Sequence, residues 1–115
     1  MKTLKWYKIA EANEELVFSQ QGIAVVEVND KKVCIGKYED HLYAFAYKCP
    51  HASGIMAEGY LDGLGNVVCP THRYKFNLKN GRNTTGEGYY LKHWQLEQRE
   101  DGLFIAMEKF EITGW

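Results

Sequence analysis

Two short motifs constrain this chain more than any other feature of its sequence. The first reads Cys49-Pro50-His51 and the second Cys69-Pro70-Thr71-His72, with seventeen residues between them. Each motif offers one thiolate and one imidazole, and the proline after each cysteine restricts φ to about −65° and stiffens the chain. We therefore expect two loops that meet around a metal centre. The candidate metal-binding and cofactor-binding residues are Cys49, His51, Cys69 and His72.

The rest of the sequence predicts short β-strands separated by turns. Strand-forming residues are concentrated at 23–28, 32–38 and 41–47, and the intervening pairs Asn29-Asp30 and Glu39-Asp40 are typical of turns. Connections this short join antiparallel neighbours, so the three segments predict an antiparallel meander. Further strands are predicted at 66–68 and 74–78, and we expect 89–97 to pair with 103–107 across Asp101-Gly102.

The segment between residues 48 and 74 interrupts this pattern. It has few apolar residues, several glycines and both prolines of the chain, and it carries both motifs. The sequence thus predicts one all-β domain over residues 1–115, in which a cluster-binding subdomain at about 47–77 is inserted in a β base. A helix is predicted weakly at 11–17.

Composition narrows the possible partners. The chain has 115 residues, a formal charge of −1 and 45% hydrophobic residues, which is typical of a globular domain. Without a run of like charges or a long apolar segment, we expect neither nucleic acid nor membrane as a partner. The N-terminus does not resemble a signal peptide, and the three cysteines are an odd number, so we expect a cytoplasmic protein without a disulfide framework.

Two metal centres can use two cysteines and two histidines. Zinc binds such a set tetrahedrally, whereas a Rieske-type [2Fe–2S] cluster places two cysteines on one iron and two histidines on the other. Zinc-finger ligands usually come as a cysteine pair followed by a histidine pair. Here each motif is a mixed pair, and this order favours the [2Fe–2S] cluster over zinc.

Residues 49–63 and 69–76 resemble the cluster-binding region of Rieske-type ferredoxins, especially those that serve bacterial aromatic-ring dioxygenases. The small subunit of assimilatory nitrite reductase belongs to the same superfamily. The resemblance implies a fold of stacked antiparallel sheets, with two loops forming a tip where the histidine edges meet solvent. It also implies a soluble one-electron carrier between a ferredoxin reductase and a terminal oxygenase or similar acceptor. We expect no catalytic residues and a monomer.

The resemblance also implies a low-potential cluster. Respiratory Rieske proteins carry a disulfide between the two loops and donate hydrogen bonds to sulfur from a serine and a tyrosine. The corresponding residues here are Gly54 and Thr71 for the disulfide, and Tyr74 and Phe76 for the donors. Because lost hydrogen bonds destabilise the reduced state, we expect a potential near the low end of the Rieske range. The alternatives are a nitrite reductase small subunit and a zinc-stabilised binding module.

Other residues able to carry chemistry are interpreted as structural. Cys34 lies within a strand pattern and is expected to be buried, and His41 and His93 are expected to be surface or hydrogen-bonded residues. The tryptophans at positions 6, 94 and 115 are expected to pack.

Overall fold

The computed structural model describes residues 2–11, 16–51 and 54–110 of the chain. These residues form ten β-strands and a short 3-10 helical turn at Met56–Glu58. The strands are β1 (Lys2–Glu11), β2 (Ile23–Val28), β3 (Lys31–Tyr38), β4 (His41–Ala46), β5 (Tyr60–Leu61), β6 (Asn66–Val68), β7 (Lys75–Asn77), β8 (His93–Trp94), β9 (Leu96–Arg99) and β10 (Gly102–Phe110). They make three antiparallel sheets, which confirms the predicted all-β class.

The predicted meander forms the core of the largest sheet, which has the order β2-β3-β4-β8. Two-residue turns at Asn29-Asp30 and Glu39-Asp40 join its first three strands, and all four turn residues have φ between 49° and 65°. Such left-handed backbone matches the right-handed twist of a tight hairpin, which explains why asparagine and aspartate suit these positions.

A second sheet brings the two ends of the described chain together in the order β1-β10-β9. The N-terminal strand β1 was not predicted from sequence. The helix predicted at 11–17 is wrong at every described position: Glu11 is the last residue of β1, and Leu16 and Val17 are not helical. Positions 12–15 lie outside the described residues.

The predicted strand at 89–97 is divided between two sheets. His93 and Trp94 pair with β4 in the meander sheet, whereas Leu96–Arg99 pairs with β10. Arg99 lies opposite Gly102, so the hairpin turn consists of Glu100 and Asp101 rather than Asp101 and Gly102. Within the predicted segment, the pairing with 103–107 is therefore confirmed only for Leu96 and Glu97, which lie opposite Ile105 and Phe104.

The third sheet has the strand order β5-β6-β7. In sequence, β5 and β6 lie between the two motifs, and β7 follows the second motif. The β5–β6 connection is organised by the Asp62 carboxylate, which accepts hydrogen bonds from Leu64 N at 2.8 Å and from Asn66 N at 3.0 Å. Leu78 N donates to Gly65 O at 3.0 Å and ties the end of β7 to the same connection.

The central strand β3 is buried on both faces and separates two apolar cores. Val33 and Ile35 point into a core shared with Ile105 and Met107 of β10. Cys34 points the other way, into a core that extends to Phe76 of the third sheet and includes Cys49 and Cys69. The two motif cysteines therefore lie at the end of a packed core, which fixes where their thiols can point. Within the described residues, no helix is long and apolar enough to cross a membrane.

Candidate metal centre

Both motifs lie in loops that begin where strands end. The first loop follows β4, and the second follows β6. Backbone hydrogen bonds close each loop on its own cysteine: Cys49 N donates to Gly54 O at 2.8 Å, and Cys69 N donates to Tyr74 O at 2.9 Å. The second loop turns through Arg73, whose φ is 59° and whose N–H donates to Cys69 O at 3.0 Å. The cysteines are thus held by the sheet, while the histidines are carried outward on the turns.

The structure brings the four predicted residues into one chain of contacts. The ligand atoms of Cys49, His51 and Cys69 all lie within 4.8 Å of one another. Cys49 Sγ is 2.6 Å from His51 Nδ1, and His51 Nε2 is 2.8 Å from His72 Nδ1. His72 stands outside the close group of three and joins the site through His51, with the ring centroids 5.0 Å apart.

The thiols and the imidazoles of the site differ in their exposure to solvent. Cys49 and Cys69 are buried, at 5% and 0% relative exposure, whereas His51 is half-buried and His72 is exposed. A metal centre held by these residues would have its sulfur ligands against the protein core and its nitrogen ligands toward solvent. The two thiolates and two imidazoles fit a Rieske-type cluster, in which two cysteines bind one iron and two histidines bind the other.

Two tyrosines pack beside the histidines. The Tyr74 ring centroid lies 4.1 Å from that of His51, and Tyr89 lies 5.7 Å from His51 and 5.9 Å from Tyr74. The role of Tyr89 beside the site was not predicted, because it is remote in sequence and no motif spacing links it to His51. Tyr74, close to the second motif, was the aromatic residue that the sequence indicated here, whereas the adjacent pair Tyr89-Tyr90 gave no sign of its position.

A hydrogen-bonded loop after β7 supports Tyr89. Its centre is Asn83, whose Nδ2 donates to Lys75 O at 3.0 Å and to Glu87 Oε1 at 3.0 Å, while its Oδ1 accepts from Gly88 N at 3.0 Å. A hydrogen bond donated by Thr85 Oγ1, together with that from Asn83, holds the pKa of Glu87 below its ordinary value. The loop therefore fixes the backbone immediately before Tyr89.

The family model that describes the Rieske [2Fe-2S] domain matches residues 5–89, a span that contains both motifs. This chain belongs to the Rieske [2Fe-2S] domain family. Its cofactor is therefore a [2Fe–2S] cluster, and the zinc alternative is set aside.

Known proteins similar to this Rieske domain include ferredoxins and reductase subunits. The ferredoxin component of the naphthalene 1,2-dioxygenase system of Pseudomonas putida is 29% identical over 80 residues, covering 70% of this chain and 73% of that protein. A chain in the complex of reduced oxygenase and oxidized ferredoxin in carbazole 1,9a-dioxygenase superposes with a TM-score of 0.72 at 26% identity, covering 92% of this chain and 97% of that one. A Mycobacterium tuberculosis protein described as an NADH-dependent nitrite reductase small subunit superposes with a TM-score of 0.75 at 16% identity, covering 91% and 96% of the two chains. This last likeness shows the fold alone.

The residues interpreted as structural are not part of the close group formed by Cys49, His51 and Cys69. Cys34 is fully buried in β3, and this burial raises the pKa of its thiol to about 12. His41 is exposed at the start of β4, and His93 Nδ1 is 2.9 Å from the Tyr90 hydroxyl oxygen. Trp6 and Trp94 are half-buried in strands, and Trp115 lies outside the described residues.

Proposed function

We propose that this protein is a one-electron carrier whose [2Fe–2S] cluster is held by Cys49, His51, Cys69 and His72. The observation that carries this proposal is the division of the ligands by burial: both thiols lie against the core, and both imidazoles lie toward solvent. A redox centre with one edge near the surface can exchange electrons with a docked partner without any opening of the fold.

The proposed ligands have distinct roles. Cys49 and Cys69 supply thiolates to the inner iron, and the backbone hydrogen bonds at their N–H groups hold both residues in place before a metal binds. His51 and His72 supply imidazole nitrogen to the outer iron, and the Tyr74 ring against His51 restricts the orientation of that imidazole. When bound, the cluster supplies a site that accepts and releases one electron.

The complete set of four ligands supports a carrier rather than an enzyme. With all four ligands in use, the cluster has no open position for a substrate. The chain would then act as a component of an oxygenase system and would have no catalytic residues of its own.

The surroundings of the ligands support a low potential. Gly54 and Thr71 stand at the positions of the bridging cysteines of respiratory Rieske proteins, so no such disulfide joins the two loops. Phe76 is fully buried and has no hydrogen-bond donor on its ring. The Tyr74 ring lies over the imidazole of His51. With fewer donors to sulfur, the reduced cluster is less stabilised and the potential falls.

A reductase and a terminal oxygenase are the partners that we propose. Support comes from the Pseudomonas putida relative, which is the ferredoxin component of a dioxygenase system, and from the carbazole dioxygenase complex that contains both an oxygenase and a ferredoxin. We further propose that the protein acts as a cytoplasmic monomer, with the histidine edge as its contact for both partners in turn.

Metal analysis joined to EPR tests the proposal. Anaerobically purified protein should contain two irons and two sulfides per chain, and dithionite should give a spectrum with the low average g-value of histidine-ligated clusters. Zinc without sulfide and a silent spectrum would refute the electron carrier. Copurification with a larger haem-containing chain would replace the oxygenase with a nitrite reductase as the acceptor.

A further inference from the structure

A groove with a volume of about 510 Å³ lies on the meander sheet, outside the proposed cluster ligands. It is bounded by the β2–β3 turn, by the residues that follow β4 and by β8. Its volume is within the range of about 300–1,000 Å³ that is usual for small-molecule sites. Nothing in the proposed electron-transfer function uses this groove.

The lining of the groove is positively charged. Four lysines, at positions 31, 32, 48 and 92, line it together with the carboxylates of Glu27 and Asp30. The lining therefore carries an excess of two positive charges, whereas the whole chain has a formal charge of −1. A groove in which cations exceed anions attracts a negatively charged ligand.

Aromatic rings form the apolar part of the same groove. Lys31 Nζ and Lys92 Nζ lie 5.9 Å and 5.7 Å from the centroid of the Trp94 ring. Lys32 Nζ lies 5.2 Å from the centroid of the Tyr47 ring. Each ammonium thus lies beside the face of an aromatic ring. A flat ligand stacked on that ring would bring its own negative charge within reach of the ammonium.

The groove is built on strands rather than on long loops. Trp94 packs against the core shared by β3 and β10, and its backbone pairs with Ala44 of β4. Ala46 N donates to Lys92 O at 2.9 Å, so Trp94 and the residue two before it are both tied to β4. Lys31 pairs with Val28 at the end of the β2–β3 hairpin. The Trp94 ring and the ammonium groups of Lys31 and Lys92 are therefore held by the same sheet.

We propose that this groove binds a small aromatic carboxylate, with its ring on Trp94 and its carboxylate between Lys31 and Lys92. A flat ring fits the aromatic faces, and a negative charge is attracted by the excess of cations in the lining. The volume, which lies within the range usual for small-molecule sites, favours a small molecule over an acidic segment of a protein partner. This inference does not depend on the identity of the redox partners or on the cluster ligands.

Calorimetric titration of the cluster-loaded protein with 2-naphthoate tests the site. We expect saturable binding that weakens as the salt concentration rises, because the attraction is electrostatic. The neutral isostere 2-naphthylmethanol and the non-aromatic cyclohexanecarboxylate should each bind more weakly, since each lacks one of the two recognised features. In two-dimensional NMR spectra, the indole N–H signal of Trp94 should shift with 2-naphthoate.

Exposed lysines provide matched variants. The double variant Lys31→Gln, Lys92→Gln should bind 2-naphthoate roughly tenfold more weakly, since two surface charge pairs are lost. Lys37→Gln removes an exposed lysine of β3 that does not line the groove, and it should bind as the wild type does. The conservative variant Trp94→Phe retains an aromatic face and should bind, with reduced affinity.

Three results would overturn the proposal. Equal affinity for 2-naphthoate and 2-naphthylmethanol would mean that the groove recognises apolar surface alone. Unchanged affinity in the double lysine variant would place the binding elsewhere. Binding of a polyglutamate peptide without binding of 2-naphthoate would make the groove a protein-docking surface instead.

Discussion

Gly54 in the first motif loop lies directly against Thr71 in the second. A Cβ atom added at Gly54 would be 2.4 Å from Thr71 Oγ1 and 3.0 Å from Cys69 Sγ. A contact of 2.4 Å is far shorter than van der Waals contact, so the close approach of the two loops depends on the missing side chain. The same relationship explains how the loops meet without a disulfide at this point, since neither Gly54 nor Thr71 is a cysteine.

The variant Gly54→Ala should therefore lose much of its cluster. The added methyl group pushes Thr71 and Cys69 away, at an expected cost of about 1–3 kcal/mol for an overpacked contact. Iron and sulfide content per chain, with the visible absorption of the cluster, measures the effect. Gly63→Ala is the matched control, because a Cβ at Gly63 meets nothing within 4 Å. Full cluster content in Gly54→Ala would show that the loops can separate freely.

Substitution of the proposed ligands should abolish the cluster, whereas substitution of similar residues elsewhere should not. Cys69→Ser and His72→Ala each remove one of the four donors, and we expect no [2Fe–2S] absorption from either variant. The controls are Cys34→Ala in β3 and His41→Ala, an exposed histidine on the meander sheet. Loss of the cluster in a control, or its retention in a ligand variant, would contradict the proposed ligand set.

The sequence was most informative where local chemistry decides the structure. Asn29, Asp30, Glu39 and Asp40 all adopt positive φ in two-residue turns, so the meander could be predicted from neighbouring residues alone. The N-terminal strand β1 could not, because its pairing with β10 joins opposite ends of the chain and leaves no local turn signal. The same applies to Trp94 and Leu96, which are close in sequence but belong to different sheets.

In the candidate site too, only the features decided by neighbouring residues could be predicted from the sequence. Motif spacing predicted which four residues approach one another, because each pair lies within one short loop. It could not predict that Tyr74 and Tyr89 would stack beside His51, since Tyr89 reaches the site through a later loop held by Asn83. Nor could it show that the thiols would be buried and His72 exposed, since burial depends on the assembled sheets.

The midpoint potential of the cluster should be near the low end of the Rieske range, about −150 mV rather than +300 mV. Phe76 donates no hydrogen bond, and we expect that the Tyr74 hydroxyl does not donate to a cluster sulfur either. Tyr74→Phe should consequently leave the potential unchanged in a redox titration followed by EPR. A wild-type midpoint well above about 0 mV, or a marked fall in Tyr74→Phe, would show that strong donors to sulfur are present.

The Asp62 carboxylate should make stability depend on acid pH. Partial burial acts to raise the pKa of Asp62, but hydrogen bonds donated by Asn66 and Leu64, with Lys75 Nζ at 3.6 Å, outweigh it and hold the pKa below its ordinary value of 3.8. Because the folded protein lowers this pKa, the stabilisation is present above the unfolded value and is lost as pH falls through the folded value.

Asp62→Asn should be less stable than the wild type by about 1 kcal/mol at pH 7, a fall of about 4 °C in Tm. The difference in Tm between the two proteins should narrow as the pH is lowered toward 3, because the wild-type carboxylate then becomes protonated. Glu100→Gln, in the exposed β9–β10 turn, is the control and should follow the wild type. A difference that stays constant with pH would mean that the charge of Asp62 contributes nothing.

The thiol of Cys34 should be inert in the folded protein. Its side chain has 0% relative exposure, and burial raises its pKa to about 12, so the reactive thiolate is scarce at neutral pH. Iodoacetamide at pH 8, followed by peptide mass spectrometry, should leave Cys34 unmodified until the chain is unfolded in guanidinium chloride. After the iron is removed by chelation, Cys49 and Cys69 should be modified before Cys34, because their loops lose the bound metal while β3 keeps both of its neighbours, β2 and β4. Rapid modification of Cys34 in the cluster-loaded protein would show that the central strand opens, and would contradict the packing of β3 between two cores.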